Sequence, residues 1–452
     1  MEDPNTFGQA RPVPERRISR ATRLGAMAAG VAGNMAAHGL GQLGRGQRPA
    51  LRDLLMTPAN VTRITNELAR MRGAAMKLGQ MISMDAGELL PPEMAQIMAR
   101  LRAEADFMPP AQLKQVLGAE WPAGWLKSFQ SFNVRPIAAA SIGQVHRATL
   151  KDGRDLAIKV QYPGVARSID SDVANVAALV KMTGLLPKGF ALDPYVEEAR
   201  RQLHIETDYL AEGQNLRRYR DLIGKDPAFV LPELMTDWTT QAILAMSYVE
   251  SAPLDAVAEA DQELRDLVAT RMIDLTLREL MRFGLMQTDP NFANFRYVPD
   301  TGQIVLLDFG ACRPITQNTT ALYRRLFSCG LGGDDAKLAQ VCADMGAWAA
   351  ETDPKHKAQL LRMARLVLDA VLGGEVYDFA DRSLVQTMRT EGIALAESGF
   401  VPPPAPMDIL FVQRKLSGVF LIAANLKARG PLRRLIQDHL SGAVASDRPS
   451  LP

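Results

Sequence analysis

The sequence predicts an α+β protein of two lobes, a small sheet-bearing unit followed by a larger helical one, with a helical extension in front. Three observations carry this expectation. Apolar residues recur at helical spacing across Val61–Ile82. Short β-like runs then gather at Phe132–Ile137, Gly143–Leu150 and Asp155–Gln161, the last two joined by the turn Lys151-Asp152-Gly153-Arg154. From about Thr316 the pattern is helical almost to the end, with a proline-rich break at Pro402–Pro406 before a final helical pair. A chain of 452 residues accommodates about three structural units. The expected divisions are a basic, Gly/Ala-rich leader (1–50), a helical extension (51–128), the small lobe (129–250) and the helical lobe (251–452).

Between Arg11 and Arg52 there are eight arginines and a single acid, Glu15. The leader's Ala/Gly/Leu/Met-rich interior reads either as a helix drawn to an anionic lipid surface or as a solvated tail. Its Gly39-Leu40-Gly41-Gln42-Leu43-Gly44 matches GxGxxG, but no strand precedes it and no suitably spaced acid follows, so it is not read as a dinucleotide fingerprint. Two apolar stretches could suggest a membrane span. Leu24–Leu43 is interrupted by Asn34, His38 and Gln42, and Leu416–Ala424 has nine residues. Neither reaches the roughly 20 apolar residues a span needs. The acidic start resembles neither a secretory signal nor a mitochondrial presequence. After the first strands, residues 165–184 and 194–222 read as helices. Phe229–Leu231 and Gln241–Val249 are strand-like, Gln262–Arg282 is helical, and Phe295–Tyr297 with Ile304–Leu307 form a hairpin.

Composition narrows the function. Hydrophobic residues are 47% and charged residues 23%, as in a folded chain, and 52 basic against 50 acidic residues leave a net charge of +2. That balance argues against a protein that coats nucleic acid, so no nucleic-acid partner is expected. Cys312, Cys329 and Cys342 lack CxxC spacing and fit a reducing compartment as small buried hydrophobes. The five histidines lack metal-ligand spacing, so no structural zinc is expected.

Three segments carry chemistry in combination. Leu156-Ala157-Ile158-Lys159-Val160 places a lysine inside an apolar strand, where burial is costly without a partner. In V-A-I-K of protein kinases such a lysine grips the α/β-phosphates. Gln287-Thr288-Asp289-Pro290-Asn291-Phe292-Ala293-Asn294 has Asp289 and Asn294 five apart, the spacing of the kinase catalytic loop, although Gln287-Thr288 stand where His-Arg is usual. Ile304-Val305-Leu306-Leu307-Asp308-Phe309-Gly310 is an apolar strand ending in Asp-Phe-Gly, whose aspartate chelates Mg²⁺ in kinases. Each motif alone is weak. Their shared order and strand context point to a kinase-like nucleotide site, with Asp289 positioning the attacking group and Asn294 and Asp308 holding metal. Two usual parts are missing. The turn that should be glycine-rich reads Ala138-Ala139-Ala140-Ser141-Ile142-Gly143-Gln144, which predicts a tighter, less adaptable phosphate cover. No APE follows the Asp-Phe-Gly, and Ala311-Cys312-Arg313-Pro314 runs almost directly into a helix.

These departures form a pattern of their own. From about Arg16 to the C-terminus the chain resembles the UbiB, or aarF-domain, family of atypical kinases, in particular its coenzyme-Q accessory branch. Lys77-Leu78-Gly79-Gln80 matches the family's KxGQ, Ala138–Val145 its alanine-rich loop and Glu206-Thr207-Asp208 its ExD. The resemblance implies that Lys77 and Gln80 reach toward the nucleotide across the groove where peptides bind in ordinary kinases. It implies that Glu206 pairs with Lys159, with Glu212 as a competing candidate, and that Asp208 joins the Lys77 network. Met246-Ser247-Tyr248-Val249 would be the hinge that hydrogen-bonds adenine.

The resulting expectation is ATP bound between the lobes with Mg²⁺ and water as the acceptor, supporting ubiquinone biosynthesis. The expected partners are an anionic membrane surface, quinone-precursor lipids and the ubiquinone biosynthesis enzymes. The expected place is the cytoplasmic face of a bacterial inner membrane, with a mature mitochondrial matrix form also open. Phosphoryl transfer to a protein or small molecule, and a non-catalytic scaffold, are the alternatives.

Overall fold

A computed structural model describes residues 107–183, 192–403 and 406–442, with scattered positions between 30 and 79 that include helical residues 73–79. Gln80 and nearly all of the basic leader lie outside the described residues. The chain divides into two compact units. One holds the residues up to Gln214 together with Glu233–Tyr248, and the other holds Asn215–Pro232 and everything from Val249.

In the first unit, α1 (Pro110–Glu120) opens on a proline, whose missing N–H is harmless in a first helical turn, and buries Leu113 and Leu117. The strands β1 (Phe129–Phe132), β2 (Ala138–Ala139), β3 (Gly143–Leu150) and β4 (Asp155–Gln161) follow. Next come α2 (Val165–Thr183), α3 (Asp193–Glu206) and α4 (Tyr209–Ile223), whose residues from Asn215 onward belong to the second unit. The short β5 (Phe229–Val230) belongs to the second unit, and β6 (Ile243–Ser247) completes the first sheet in the order β1-β3-β4-β6, with β2 on β3. Alternation fixes its faces. Leu156, Ile158 and Val160 of β4 are fully buried with Leu113, Leu117 and Trp121, so the intervening Ala157 and Lys159 point to the other side. Trp121 packs edge-on to Trp238 at 5.1 Å and donates from Nε1 to Trp238 O at 3.1 Å. The first strand begins earlier than the expected Phe132–Ile137. Asn133 Oδ1 accepts from Arg135 N–H in a turn that ends at Pro136, which has no N–H for a ladder.

The second unit contains β7 (Ala252–Pro253) and α5 (Gln262–Arg278), capped by Asp261, whose side chain accepts from Leu264 N–H. A π-turn, Glu279–Phe283, extends α5 into β8 (Leu285–Gln287). The hairpin of β9 (Phe295–Val298) and β10 (Gln303–Leu306) joins β5 and β7 in a four-stranded sheet, β5-β10-β9-β7. After β11 (Cys312–Pro314) the chain is mostly helical: α6 (Gln317–Gly332), α7 (Asp335–Asp344), α8 (Pro354–Leu372), α9 (Ser383–Glu397), α10 (Met407–Asn425) and α11 (Leu432–Ser441). Leu280, Met286, Leu338, Val341 and Val412 form its core. No helix among the described residues is long and apolar enough to cross a membrane.

Candidate functional site

In the first unit β4 presents Lys159 on the face opposite the core. Its Nζ donates to both carboxylate oxygens of Glu212, at 2.9 and 3.0 Å, and the two side chains are 11% and 2% exposed. Glu206 has a different partner. It forms an ion pair with the buried Lys77 and accepts a 2.6 Å hydrogen bond from Ser141 Oγ. The expected Lys159–Glu206 pairing is therefore corrected to Lys159–Glu212. The cause is a break in what the sequence presents as one helix, 194–222. α3 ends at Glu206, and Asp208 starts α4 by accepting at Oδ1 from Ala211 N–H at 2.9 Å. Glu206 thus leaves the last turn of one helix, while Glu212 stands one turn into the next.

The alanine-rich turn is small and closed. Ala138–Ala139 pairs with β3, and Ala140 N–H donates to Gly143 O at 2.9 Å. The helical residues 73–79 that carry Lys77 lie against it. A Cβ on Gly73 would come within 2.8 Å of Ser141 O, so only glycine permits that approach. Lys77, Ser141 and Glu206 are therefore brought together. In the segment expected to be the hinge, Ser247 N–H donates to Glu233 O and Tyr248 N–H to Asp155 O, both at 2.8 Å, so these two donors are already used inside the first unit.

In the second unit β8 pairs with β11, setting Gln287 opposite Cys312. Thr288 donates to Ala311 O through both its N–H (3.1 Å) and its hydroxyl (2.8 Å), and Leu307 N–H donates to Asn294 O at 3.2 Å. These bonds fasten the Asp289–Asn294 loop beside Asp308-Phe309-Gly310. Within the loop, Asp289 O accepts from Asn291 N–H (2.8 Å), Asn294 Nδ2 (2.9 Å) and Gln287 Nε2 (2.9 Å). The Asp289 carboxylate accepts from Arg414 of α10 at 2.8 Å, a charge-assisted bond that fixes its orientation. Asp308 Oδ1 accepts from Gly310 N–H at 3.0 Å, and Asn215 Nδ2 donates to Phe309 O at 3.1 Å. Only Ala311–Ile315 separates Gly310 from Thr316, whose hydroxyl caps α6.

A buried polar cluster lies under this loop. Glu279, on the π-turn, accepts from Tyr219 OH at 2.9 Å and lies 3.2 Å from Lys415 Nζ. Burial raises the Glu279 carboxyl above its ordinary range against the opposing pull of Lys415. Burial, followed by the charge of Glu279, pushes the Tyr219 phenol well up.

Among the described residues no three or more His, Cys, Asp or Glu side chains form a metal cage. A nucleotide-bound Mg²⁺ needs none, because it draws on one or two protein oxygens and takes the rest from phosphates and water. Asp308 and Asn294 fit that demand. The Leu307–Asn294 bond sets them on neighbouring backbone, and Asn294 Nδ2 is committed to Asp289 O, so Oδ1 is the atom Asn294 would offer to a metal.

The sequence reading missed Arg414, Lys415, Glu279 and Tyr219. A signal existed for the first two. Phe411, Arg414, Lys415 and Gly418 fall at i, i+3, i+4 and i+7, and two adjacent cations in a largely apolar helix require partners. All four meet the site. Phe411 lies under the Arg313 guanidinium at 3.7 Å, and a Cβ on Gly418 would come within 2.1 Å of Pro290 Cγ.

The ABC1 atypical kinase-like domain matches residues 100–342 of this chain. The chain belongs to the ABC1 family of atypical kinases. The resemblance to UbiB proteins read from KxGQ, the alanine-rich loop and ExD is thereby borne out. Among ABC1 relatives, the chain is similar to the mitochondrial atypical kinase COQ8 of Saccharomyces cerevisiae, with 35% identity over 429 residues, 94% of this chain and 85% of that protein. It is also similar to the mitochondrial atypical kinase COQ8B of Danio rerio, with 36% identity over 438 residues, 96% of this chain and 70% of that protein. A solved complex of Rv3197 with erythromycin from Mycobacterium tuberculosis aligns with a TM-score of 0.59 at 24% identity, covering 84% of this chain and 95% of that one. That likeness speaks to fold alone, and it agrees with the kinase-like architecture of the ABC1 chain.

Proposed function

We propose that the chain is a kinase-like ATPase that acts in ubiquinone biosynthesis at a membrane surface. The observation that carries the chemistry is the fastening of the Asp289–Asn294 loop beside Asp308. In this reading Lys159, oriented by Glu212, holds the α/β-phosphates of ATP. Asp308 and Asn294 hold Mg²⁺, which neutralises phosphate charge when bound. Asp289, held by Arg414, orients the attacking group. The short path from Gly310 to Thr316 leaves no long segment on which a peptide substrate could dock, which favours water as the acceptor. The Lys77–Glu206–Ser141 contacts support a cover that is held closed on the phosphate side. The COQ8 relatives support the placement in coenzyme Q biosynthesis. The basic, Ala/Gly-rich leader supports contact with anionic lipid, and quinone-precursor lipids and the biosynthetic enzymes are the proposed partners.

The test is phosphate release from MgATP by the purified full chain, with and without phosphatidylglycerol-containing vesicles. The Asp289→Asn and Lys77→Ala variants are run alongside. The expected result is lipid-stimulated release that disappears in Asp289→Asn. Tight nucleotide binding without release under any condition would overturn the ATPase reading, and phosphate appearing on a protein or small molecule would replace water as the acceptor.

A further inference from the structure

The catalytic-loop segment lacks the His-Arg that precedes the aspartate in ordinary kinases. We infer that Lys415 replaces that support from helix α10, acting as a positioning residue that holds the Asp289 backbone through Gln287 and Glu279. Lys415 and Glu279 are each 1% exposed and 3.2 Å apart. The same ammonium donates to Gln287 Oε1 at 3.3 Å, which turns the other end of that amide, Nε2, onto Asp289 O at 2.9 Å. Glu279 closes the loop of contacts by accepting from Gln287 N–H at 3.4 Å and from Tyr219 OH at 2.9 Å. Lys415 also faces the ring of Phe295, the residue after Asn294, at 5.6 Å. One buried cation therefore reaches both ends of the Gln287–Phe295 stretch.

The chemistry argues against a role in stability alone. A buried ion pair is a poor stabiliser, because desolvation offsets the Coulombic gain, and apolar residues of similar size often serve as well. What such a pair does supply is a fixed donor geometry. Lys415 offers three N–H bonds and no acceptor, so Gln287 can present only its oxygen to it and must aim its nitrogen at Asp289 O. The π-turn at Glu279–Phe283 is what sets Glu279 against this cluster, and such turns recur at functional sites.

The proposal rests on the ATPase reading for its kinetic readout, so the test has two arms. Lys415→Met alone strands the Glu279 charge and tests folding, so the informative variant is Lys415→Met with Glu279→Leu, which removes both charges together. Gln287→Glu is the second probe, because it keeps a partner for Lys415 but loses the donor to Asp289 O. In the first arm, MgATP turnover is measured. Both variants are expected to lose at least tenfold in kcat with KM within twofold of the parent. In the second arm, amide hydrogen exchange is followed in the full chain without nucleotide. Exchange across residues 288–294 is expected to rise at least tenfold, while the amides of α6 and α7 keep their protection. If the parent chain hydrolyses no ATP, the ATPase reading fails and the exchange arm alone decides the positioning role. Parent-like exchange in 288–294 in both variants, or a uniform rise across the whole unit, overturns it.

Discussion

Replacing Glu212 by glutamine tests which glutamate serves Lys159. The carboxylate is 2% exposed and accepts two bonds from a lysine that is itself 11% exposed. Removing one member of a buried pair leaves an uncompensated charge and costs about 3–5 kcal/mol. Glutamine keeps the size and one acceptor, so the lower end, about 3 kcal/mol, is expected. For a unit of about 200 residues this corresponds to a fall of roughly 6–12 °C in its unfolding temperature. The decisive readout is nucleotide affinity. Without Glu212 the ammonium of Lys159 is no longer aimed, and the MgATP dissociation constant should rise about tenfold, equivalent to about 1.4 kcal/mol. Glu206→Gln is the matched comparison. It strands Lys77 instead and lowers stability by a similar amount, yet leaves Lys159 paired, so it should weaken MgATP binding only through the phosphate cover and by less than Glu212→Gln. Isothermal titration with MgATP and denaturant unfolding of both variants give the four numbers. A large affinity loss in Glu206→Gln with none in Glu212→Gln would refute the assignment.

Three further outcomes are expected. His146 is buried between Gln144 Nε2 and Asn133 O, each at 2.8 Å, and burial lowers its pKa from 6.5 to about 4. Because the unfolded chain takes up the proton first, stability falls as pH drops below 6.5, by about 2 kcal/mol at pH 5; urea unfolding at pH 7.5 and pH 5 should show this slope in the parent and lose it in His146→Gln. Gly418→Ala drives a Cβ into Pro290, and the overpacking should cost about 1–3 kcal/mol while slowing turnover more than it weakens nucleotide binding; unchanged kcat would count against close support of the catalytic loop by α10. Asp308→Asn should raise the Mg²⁺ concentration needed for half-maximal ATP binding by at least about tenfold without altering thermal unfolding in the absence of nucleotide; an unchanged Mg²⁺ dependence would remove Asp308 from the metal site.

What the sequence determined by itself rests on local geometry. The β3–β4 hairpin was legible because alternation and the Asp-Gly turn act within a few residues, and alternation places Lys159 opposite the core without any knowledge of what lies there. Asp289, Asn294 and Asp308 were legible because order and spacing survive whatever surrounds them. The short link from Gly310 to α6 was visible as a missing stretch of sequence. What only the tertiary structure decided is partner choice. Glu206 and Glu212 are six residues apart, and nothing in their composition separates them. The helix break at Thr207-Asp208 does, by sending one to Lys77 and the other to Lys159. Arg414 and Asp289 are 125 positions apart, and Lys415 and Gln287 are 128 apart. Side chains that distant meet only once helices pack, and packing is fixed by apolar faces that carry no label for the polar contacts they bring together. A single sequence therefore displayed the motifs, while the buried cations that contact Gln287 and Asp289 emerged from the folded chain.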